Sequence, residues 1–430
     1  FYNDLSGKNL VFSLGKKETW IVIGLAIAGT LLMAAVYPAL LLSSFKPVEA
    51  LKGKLSFGIK KAGFRKALVI TQFVFSAGLI IGTIIIAKQL DYIKKKDVGY
   101  NKEHVFSFTL RGSITSHAAA VRSELLKYPG VIATATSINS ILGASSSTTD
   151  TDWPGKETGR SFLINTNFID ENFLPLMQIP LVAGRNFYGS GTDSANFILN
   201  ETAIKLAGIK DPIGKTFSLW SKTGTIIGVM RDFNYESLHS KIEPTIFKYR
   251  QGNELVYVKA RGEDMPGALS AARSVWKKYG TEYPFAYSFL SDDFHNLYLS
   301  DQRTGTLFNV FALVAIIISC LGLFGLATYT AQVKIKEIGI RKVLGASVTS
   351  ITRLLAKDFM LLVFIAFIIA APASWFLMHK WLQNYAYRIE ISWWIFVVTG
   401  AIILMVALVT VSFQAVKAAL ANPVTTLHDE

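Results

Sequence analysis

Five long apolar stretches alternate with polar segments along the chain. None of them contains Asp, Glu, Lys, Arg or His, and they occupy residues 20–42, 67–87, 307–328, 359–378 and 393–413. A helix needs roughly 20 apolar residues to cross the hydrocarbon core of a bilayer, and buried helices of soluble domains are seldom so long and so apolar. The pattern therefore predicts a membrane protein with an all-α bundle of five spans.

The polar segment between the second and third of these stretches has the periodicity of a folded α+β domain. A first strand–helix–strand unit is predicted at residues 104–110, 116–128 and 131–137. A second unit with the same order is predicted at residues 254–260, 266–279 and 284–290. Two such units predict one split, ferredoxin-like sheet. A strand-rich insertion over residues 145–250 separates them, so we expect a large domain of two subdomains outside the membrane.

Basic residues are concentrated in two short loops, and this orients the predicted spans. Residues 44–66 carry seven basic residues against one acid, and residues 331–357 carry six against one. The third short loop, 379–392, has only two basic residues. Because cytoplasmic loops carry the excess of Lys and Arg, the first two loops are predicted inside. Residues 88–304 are then extracytoplasmic.

Composition and charge exclude several classes of function. Only 17% of the residues are charged and the mean hydropathy is +0.37, which argues against a purely soluble protein. The net charge is +14, but residues 88–303 hold 25 basic and 22 acidic residues, so the folded domain offers no basic excess for nucleic acid. A single cysteine, Cys320, excludes a disulfide framework and a Cys-based zinc site.

An internal repeat gives the predicted domain organisation. Three residues that follow the first span recur with the same spacing after the last span: Pro47, Val48 and Leu51, and Pro423, Val424 and Leu427. Matching segments attached to matching spans indicate a repeat, so we expect the chain to be part of a longer protein. The tail of a preceding repeat is predicted at residues 1–59, and a span with its stalk at residues 60–96. The extracytoplasmic domain follows at residues 97–304, and three spans with a cytoplasmic helix occupy residues 305–430.

The motifs that suggest chemistry are incomplete. The segment from Gly208 to Thr216 has five residues between its glycines, where a phosphate-binding loop needs four, and a strand is predicted to follow it. Asp292, Asp293 and His295 lie close together without a second cluster to complete a metal shell. We therefore predict no catalytic residue, no bound cofactor and no metal on this chain.

The apolar spans also lack the ionisable groups that ion-coupled carriers use to relay charge, which disfavours that class. Gly78 and Gly82 form a GxxxG pair, a spacing that allows close approach of another helix but is also common by chance in apolar sequence.

The cytoplasmic segment 332–347 mixes apolar and basic residues at roughly helical spacing. Two interpretations remain open: an interfacial helix that lies on anionic lipid, or a short lever that docks into a cytoplasmic partner. Glu337 and Arg341 have the i, i+4 spacing of an ion pair, and Gly339 and Gly345 allow a turn or a close approach.

At this segment the chain resembles the FtsX-like ABC permeases, a group that includes the macrolide-exporter and lipoprotein-releasing permeases. The stretch from Lys336 to Ser347 is similar to the ATPase-coupling segment of that family. Residues 228–239 resemble a stretch that recurs in tandem-repeat members, and Asn422-Pro423-Val424 resembles the family's cytoplasmic end. The chain thus resembles the C-terminal half of such a tandem-repeat permease.

The resemblance implies a non-catalytic, multi-pass subunit of an exporter in the bacterial inner membrane, with its large domain in the periplasm. ATP and Mg would be bound by a separate cytoplasmic ABC ATPase, and motion would pass to the periplasmic domain by mechanotransmission. Other implied partners are a second permease repeat, membrane lipid and a periplasmic protein, but not nucleic acid. The coupling role falls on Lys336, Glu337, Ile338, Gly339, Arg341, Gly345 and Ala346. The alternative function is a membrane-anchored signalling or scaffold protein that regulates an extracytoplasmic enzyme.

Overall fold

The chain forms two compact units in a computed structural model. The helical unit comprises Phe1–Lys88, Gln302–Lys380 and Glu390–Glu430, and the α+β unit comprises Gln89–Asp301 and Trp381–Ile389. The structure describes residues 3, 15–43, 59–143, 146–157, 159–189, 191–280 and 282–420. Both copies of the predicted repeat motif, at 47–51 and 423–427, lie outside these residues.

The helical unit is built from long apolar helices: α1 (Lys17–Ser43), α2 (Ile59–Lys95), α8 (Leu299–Val333), α10 (Val348–Leu382) and α11 (Trp394–Leu420). Within the described residues, four of them are long and apolar enough to cross a membrane, namely α2, α8, α10 and α11. The described apolar part of α1, Thr19–Leu32, is shorter than a span. Four of the predicted spans are therefore present as long apolar helices, and the number of membrane passes stays a prediction.

Small residues let the helices of this unit pack closely. A Cβ on Gly82 would lie 2.9 Å from Cε1 of Phe308 on α8, and one on Gly78 would lie 3.3 Å from Oγ of Ser374 on α10. Helices in lipid associate through such close packing because the hydrophobic effect does not drive them together. Gly78 and Gly82 therefore form a real packing face.

The first part of the α+β unit is the predicted ferredoxin-like sheet. Its strands are β1 (Val105–Thr109), β2 (Val131–Ser137), β11 (Leu255–Ala260) and β12 (Ser288–Phe289), in the spatial order β12-β1-β11-β2. All neighbours pair antiparallel, with Phe106 opposite Val258. The crossing helices are α3 (Ala118–Leu125), which follows a 3₁₀ turn at Gly112–His117, and α6 (Met265–Tyr279), which has a proline in its first turn. Their apolar faces and the sheet share one core.

The sheet then continues through the inserted region without a break. Beyond β2 the order is β5-β10-β7-β9-β8-β4, with β3 on β5 and β6 on β9. These strands are β3 (Ser147–Thr148), β4 (Thr151–Asp152), β5 (Ile164–Ile169), β6 (Leu181–Gly184), β7 (Asn196–Asn200), β8 (Thr216–Leu219), β9 (Lys222–Met230) and β10 (Thr245–Tyr249). Short helices α4 (Phe173–Met177) and α5 (Glu201–Ala207) connect strands, as does a 3₁₀ turn at Gly191–Ala195, and α7 (Leu290–Asn296) follows β12. Since one sheet of twelve strands crosses the predicted boundary, the division into two subdomains is not confirmed.

A buried ion pair fixes α3 to this sheet. Arg122 Nη1 on α3 lies 3.0 Å from Oδ2 of Asp170, whose side chain is fully buried at the end of β5. The same carboxylate oxygen accepts hydrogen bonds from the backbone N–H and the hydroxyl of Thr136 on β2. Burial nevertheless raises the pKa of Asp170 to about 6, because the desolvation of a charged carboxylate outweighs the attraction of Arg122.

Candidate functional site

The predicted coupling segment folds as a short helix, α9 (Ile335–Val343), between the membrane helices α8 and α10. Lys334 interrupts the helical backbone before it, and Gly345 with φ of +88° ends it. A residue with a Cβ is disfavoured in that left-handed conformation, so Gly345 makes the turn that the sequence predicts. Ser347 then accepts a hydrogen bond from the N–H of Ser350, 3.3 Å away, and begins α10.

The two faces of α9 have different surroundings. Ile338 is 5% exposed and packs with Ile351 and Leu355 of α10 and with Ala415 of α11. The neighbouring Gly339 is also buried. On the other side the apolar side chains are exposed to solvent. The exposed fractions are 54% for Ile340, 67% for Val343 and 80% for Leu344 at the end of the segment. One face thus holds the segment to two membrane helices, and the other presents a row of apolar side chains.

Charges surround this exposed row. Arg341 Nη2 lies 2.8 Å from Oε1 of Glu337, so the pair predicted from the i, i+4 spacing is present. Each side chain is about half exposed, and such a pair contributes only a few tenths of a kcal/mol to the helix. Lys334 Nζ lies 3.6 Å from Oδ2 of Asp358 on α10, a second ion pair that ties the start of α9 to the bundle. The row and its charges make an amphipathic surface, which fits either a protein partner or the surface of an anionic membrane.

The structure thus brings together six of the seven residues assigned to coupling: Glu337, Ile338, Gly339, Arg341, Gly345 and Ala346, the last packed beside Ile338. The side chain of Lys336 lies outside what the structure describes. Sequence reasoning missed the residues that hold α9 in place, namely Asp358, Ile351, Leu355 and Ala415. Of these four, Asp358 alone carried a signal, as an acid immediately before the predicted span that begins at residue 359.

A second feature is the segment Trp381–Ile389, which comprises the end of α10 and the loop after it and packs as part of the α+β unit. The N–H groups of Ala386 and Tyr387 donate to the carbonyl oxygens of His239 and Leu238, at 3.1 and 3.2 Å. The side chain of Gln89 donates to the Tyr387 carbonyl at 2.9 Å and accepts from the N–H of Ile389 at 3.0 Å. The loop is therefore bound through its backbone to the segment that the sequence singled out at residues 228–239.

Aromatic stacking reinforces this contact, which we call the loop clamp (residues 381–389 with Leu238 and His239). The ring of Tyr385 is 1% exposed and stacks on His239 with centroids 4.1 Å apart. Tyr298 stacks on the same imidazole at 6.2 Å, and its hydroxyl oxygen accepts the N–H of Leu238 at 2.7 Å. Burial raises the pKa of Tyr298 to about 12, and burial with the nearby Asp301 carboxylate raises the pKa of Tyr385 above its usual value. Both phenols therefore stay neutral at physiological pH.

The incomplete motifs have structural roles. Asp292, Asp293 and His295 lie on α7, where Asp293 accepts from the hydroxyl of Ser288 at 2.7 Å and His295 Nδ1 donates to the Ser291 carbonyl at 2.7 Å. In the part of the chain that the structure describes, no three His, Cys, Asp or Glu side chains come together as a metal site would require.

The segment that resembles a phosphate-binding loop is a turn between α5 and β8. Gly208 and Gly214 both have positive φ, +68° and +82°, and the predicted strand follows directly as β8. A phosphate-binding loop would open a helix here, so this segment lacks the helix N-terminus that such sites use.

Comparison with known families identifies the C-terminal part of the chain. Residues 309–423, which contain α9 and the loop clamp's short loop, match the FtsX-like permease C-terminal family. The resemblance inferred from Lys336 to Ser347 is thereby confirmed for these residues. A search of curated proteins gave no match.

Solved structures give a weaker similarity to the α+β unit. The periplasmic region of MacB from Actinobacillus actinomycetemcomitans is 16% identical, with 48% of this chain and 97% of that chain covered and a TM-score of 0.34. The extracellular domain of the noncanonic ABC-type transporter YknZ from Gram-positive bacteria is 18% identical, with coverages of 43% and 97% and a TM-score of 0.31.

Proposed function

We propose that this chain is a membrane subunit of an ABC-type exporter or mechanotransmission complex, driven by a separate cytoplasmic ATPase. The observation that carries the proposal is α9 itself, within the segment that matches the permease family. Ile338 anchors this helix to two membrane helices, while Ile340, Val343 and Leu344 remain exposed. An amphipathic helix that inserts apolar side chains into a groove is a common mode of docking between proteins.

The ATPase would move α9, and the packing of α9 would pass that movement on. Protein interiors are close-packed and transmit displacement between neighbouring side chains. Ile338 contacts Ile351 of α10 and Ala415 of α11, and the loop that joins these two helices is bound to the α+β unit by the loop clamp. Movement at one end of this helical hairpin would therefore reach Leu238 and His239 at its other end.

The proposal includes the finer features that the family resemblance implies. The seven residues Lys336, Glu337, Ile338, Gly339, Arg341, Gly345 and Ala346 would form the coupling segment, in which Ile338 and Gly339 pack inward. ATP and Mg would be bound on the partner ATPase, and α1 would be the fifth span, left over from a preceding repeat. The α+β unit would stand in the periplasm above a bacterial inner membrane. Cargo need not pass between the helices, which is consistent with their apolar composition.

The test is the ATPase activity of the reconstituted complex. The full-length protein would be combined with its candidate cytoplasmic ATPase, with wild type compared to Glu337→Ala plus Arg341→Ala. The matched control is Glu157→Ala plus Arg160→Ala, which removes a solvent-exposed Glu–Arg pair from the α+β unit, where Nη1 and Oε2 lie 3.7 Å apart. Leu344→Glu places a charge in the exposed row and tests the apolar contact separately.

We expect both α9 variants to weaken assembly or alter the stimulated hydrolysis rate several-fold, while the control matches wild type. Burying an unpaired carboxylate in an apolar contact costs several kcal/mol, so Leu344→Glu should have the larger effect. If the wild-type proteins associate and both α9 variants hydrolyse ATP as wild type does, the coupling assignment is wrong.

A further inference from the structure

A basic groove opens on the α+β unit at the end of α2. Its volume is about 490 Å³, and its lining includes five cationic side chains, on Lys94, Lys95, Lys96, Lys102 and Arg231. Only two carboxylates, on Asp97 and Glu103, line it as well. The groove therefore has the size of a ligand site and an excess of positive charge.

Most of these cations are not neutralised by the protein. Lys95 is paired with Asp91 at 2.8 Å, but among the described residues Lys94, Lys102 and Arg231 form no salt bridge. Lys102 is half-buried, with Nζ 3.7 Å from the ring centroid of Phe294. Burial lowers the pKa of Lys102, because the charged ammonium group loses part of its hydration. An anion bound in the groove would stabilise this charge.

The acid next to Arg231 is already engaged elsewhere. The carboxylate of Asp232 accepts the N–H and the hydroxyl of Thr202, at 2.9 and 2.7 Å. On the other side of Arg231, its own N–H donates to the Pro180 carbonyl at 2.9 Å, which fixes the backbone there. The backbone of Arg231 is thus fixed, and its side chain lines the groove.

Gly99 brings the lysine-rich loop against the segment that follows β9 and carries Arg231. Its φ is +86°, and a Cβ at this position would lie 2.8 Å from the carbonyl oxygen of Asp232. Hydrogen bonds on both sides hold this approach: the N–H of Asn234 donates to the Val98 carbonyl at 2.8 Å, and that of Asn101 to the Met177 carbonyl at 2.7 Å. The positive charges are therefore held together by a rigid backbone before any ligand binds.

The lysines also lie at the level expected for phosphate groups. In the single helix α2, Lys94 follows the end of the apolar stretch at Ala87 by seven residues, or roughly 10 Å at 1.5 Å per residue. The headgroup layer of a leaflet lies within several ångströms of the hydrocarbon, and a lysine side chain reaches back about that far.

We propose that this groove binds an anionic phosphate group. The chemistry is shared by the headgroup of an anionic phospholipid in the outer leaflet and by a free phosphate or pyrophosphate. Arg231 can offer two parallel N–H donors to phosphate oxygens, and the lysines supply point charges around them. None of the groove residues belongs to α9 or the loop clamp, but Lys96 Nζ lies 4.6 Å from the ring centroid of Tyr387 in that clamp, so the test below leaves Lys96 unchanged.

The test uses the full chain in nanodiscs and two probes. In the first arm, nanodiscs contain equal amounts of phosphatidylcholine and phosphatidylglycerol, and native mass spectrometry measures which lipid stays bound after extraction. In the second arm, inorganic pyrophosphate is titrated by calorimetry into protein in pure phosphatidylcholine nanodiscs. Wild type is compared with Lys94→Gln plus Arg231→Gln.

The matched control is Arg273→Gln plus Lys277→Gln, which removes one exposed arginine and one exposed lysine from α6. We expect the groove variant to bind the anion about 30-fold more weakly, the factor for two charges at about 1 kcal/mol each, with the control unchanged. All four positions are exposed, and a thermal midpoint equal to wild type shows that a variant is folded. If the groove variant proves unstable, Lys94→Gln alone on the helix surface replaces it.

The outcomes separate the two sources of the ligand. Preferential retention of phosphatidylglycerol that is lost in the groove variant supports a lipid headgroup. Pyrophosphate binding that is lost in this variant, without lipid preference, supports a free phosphate. Equal behaviour of wild type, groove variant and control in both arms would overturn the proposal.

Discussion

Tyr385 offers the sharpest test of the loop clamp. Its ring is 1% exposed and contacts the rings of His239 and Trp381, with centroids 4.1 and 5.1 Å away. Truncating a large buried aromatic residue to alanine costs about 3–5 kcal/mol, and we take about 3 because a loop can partly relax into the space. Since 1.4 kcal/mol is a factor of ten, Tyr385→Ala should make opening of the loop roughly 100-fold more frequent.

Hydrogen exchange of the full chain in detergent measures this opening directly. The informative amides are those of Ala386 and Tyr387, because they donate to Leu238 and His239 across the contact. In Tyr385→Ala their exchange should rise roughly 100-fold, whereas amides in the centre of β11 should keep their protection. Tyr385→Phe keeps the ring and should change exchange by less than tenfold. Unchanged exchange in Tyr385→Ala would refute the view that this ring holds the loop.

Three further changes test the buried contacts of each unit. Arg122→Ala leaves the Asp170 carboxyl buried without its charge partner and should lower the unfolding free energy by about 3 kcal/mol, measured by denaturant titration near pH 8. The pKa of Asp170 is raised to about 6 in the folded protein, so between about pH 4 and 6 the native state holds a proton that the unfolded state has lost. The free energy of unfolding should therefore fall by up to about 3 kcal/mol as pH rises through this window. Asp170→Asn should lack this pH dependence. Gly82→Leu should force α2 away from Phe308 and lower the thermal midpoint in detergent, while Gly24→Leu on α1, where a Cβ meets nothing within 4 Å, should not.

Local pattern predicted the elements well. The strand over 131–137 was expected with the bounds that β2 has, and the helix over 266–279 differs from α6 by one residue. The reason is that α6 buries one face, with Ala268, Ala272 and Trp276, and that β2 alternates alanine with threonine, so each local period is strong. The strand over 284–290 was too long, since only Ser288 and Phe289 pair with β1. Its aromatic residues pack on the core from an irregular chain instead.

Long-range contacts were beyond sequence pattern. The two halves of the sheet join where Ser137 pairs with Ile169, and nothing in either strand marks that partner. Likewise, the rings of His239 and Tyr385 stack on each other, although α8 and α10 lie between these residues in the sequence. The amphipathic character of α9 could be predicted, because it depends only on the spacing of residues within the segment. Its anchors Ile351 and Ala415 lie on other helices, so the sequence of the segment does not reveal them.

The order of the strands also has a consequence for how the protein is made. β1 pairs with β11, so Val105 must wait for Lys259 until roughly 150 further residues have been synthesised and carried across the membrane, and such non-local pairing is slow. Until then, the edge of β1 is open to wrong partners. The inserted strands can pair with one another first, since β7, β8, β9 and β10 are near neighbours in sequence. During biogenesis the insertion would therefore mature before the strands that enclose it, and the sheet would close only when β11 and β12 have been made, just before the last three long apolar helices are synthesised.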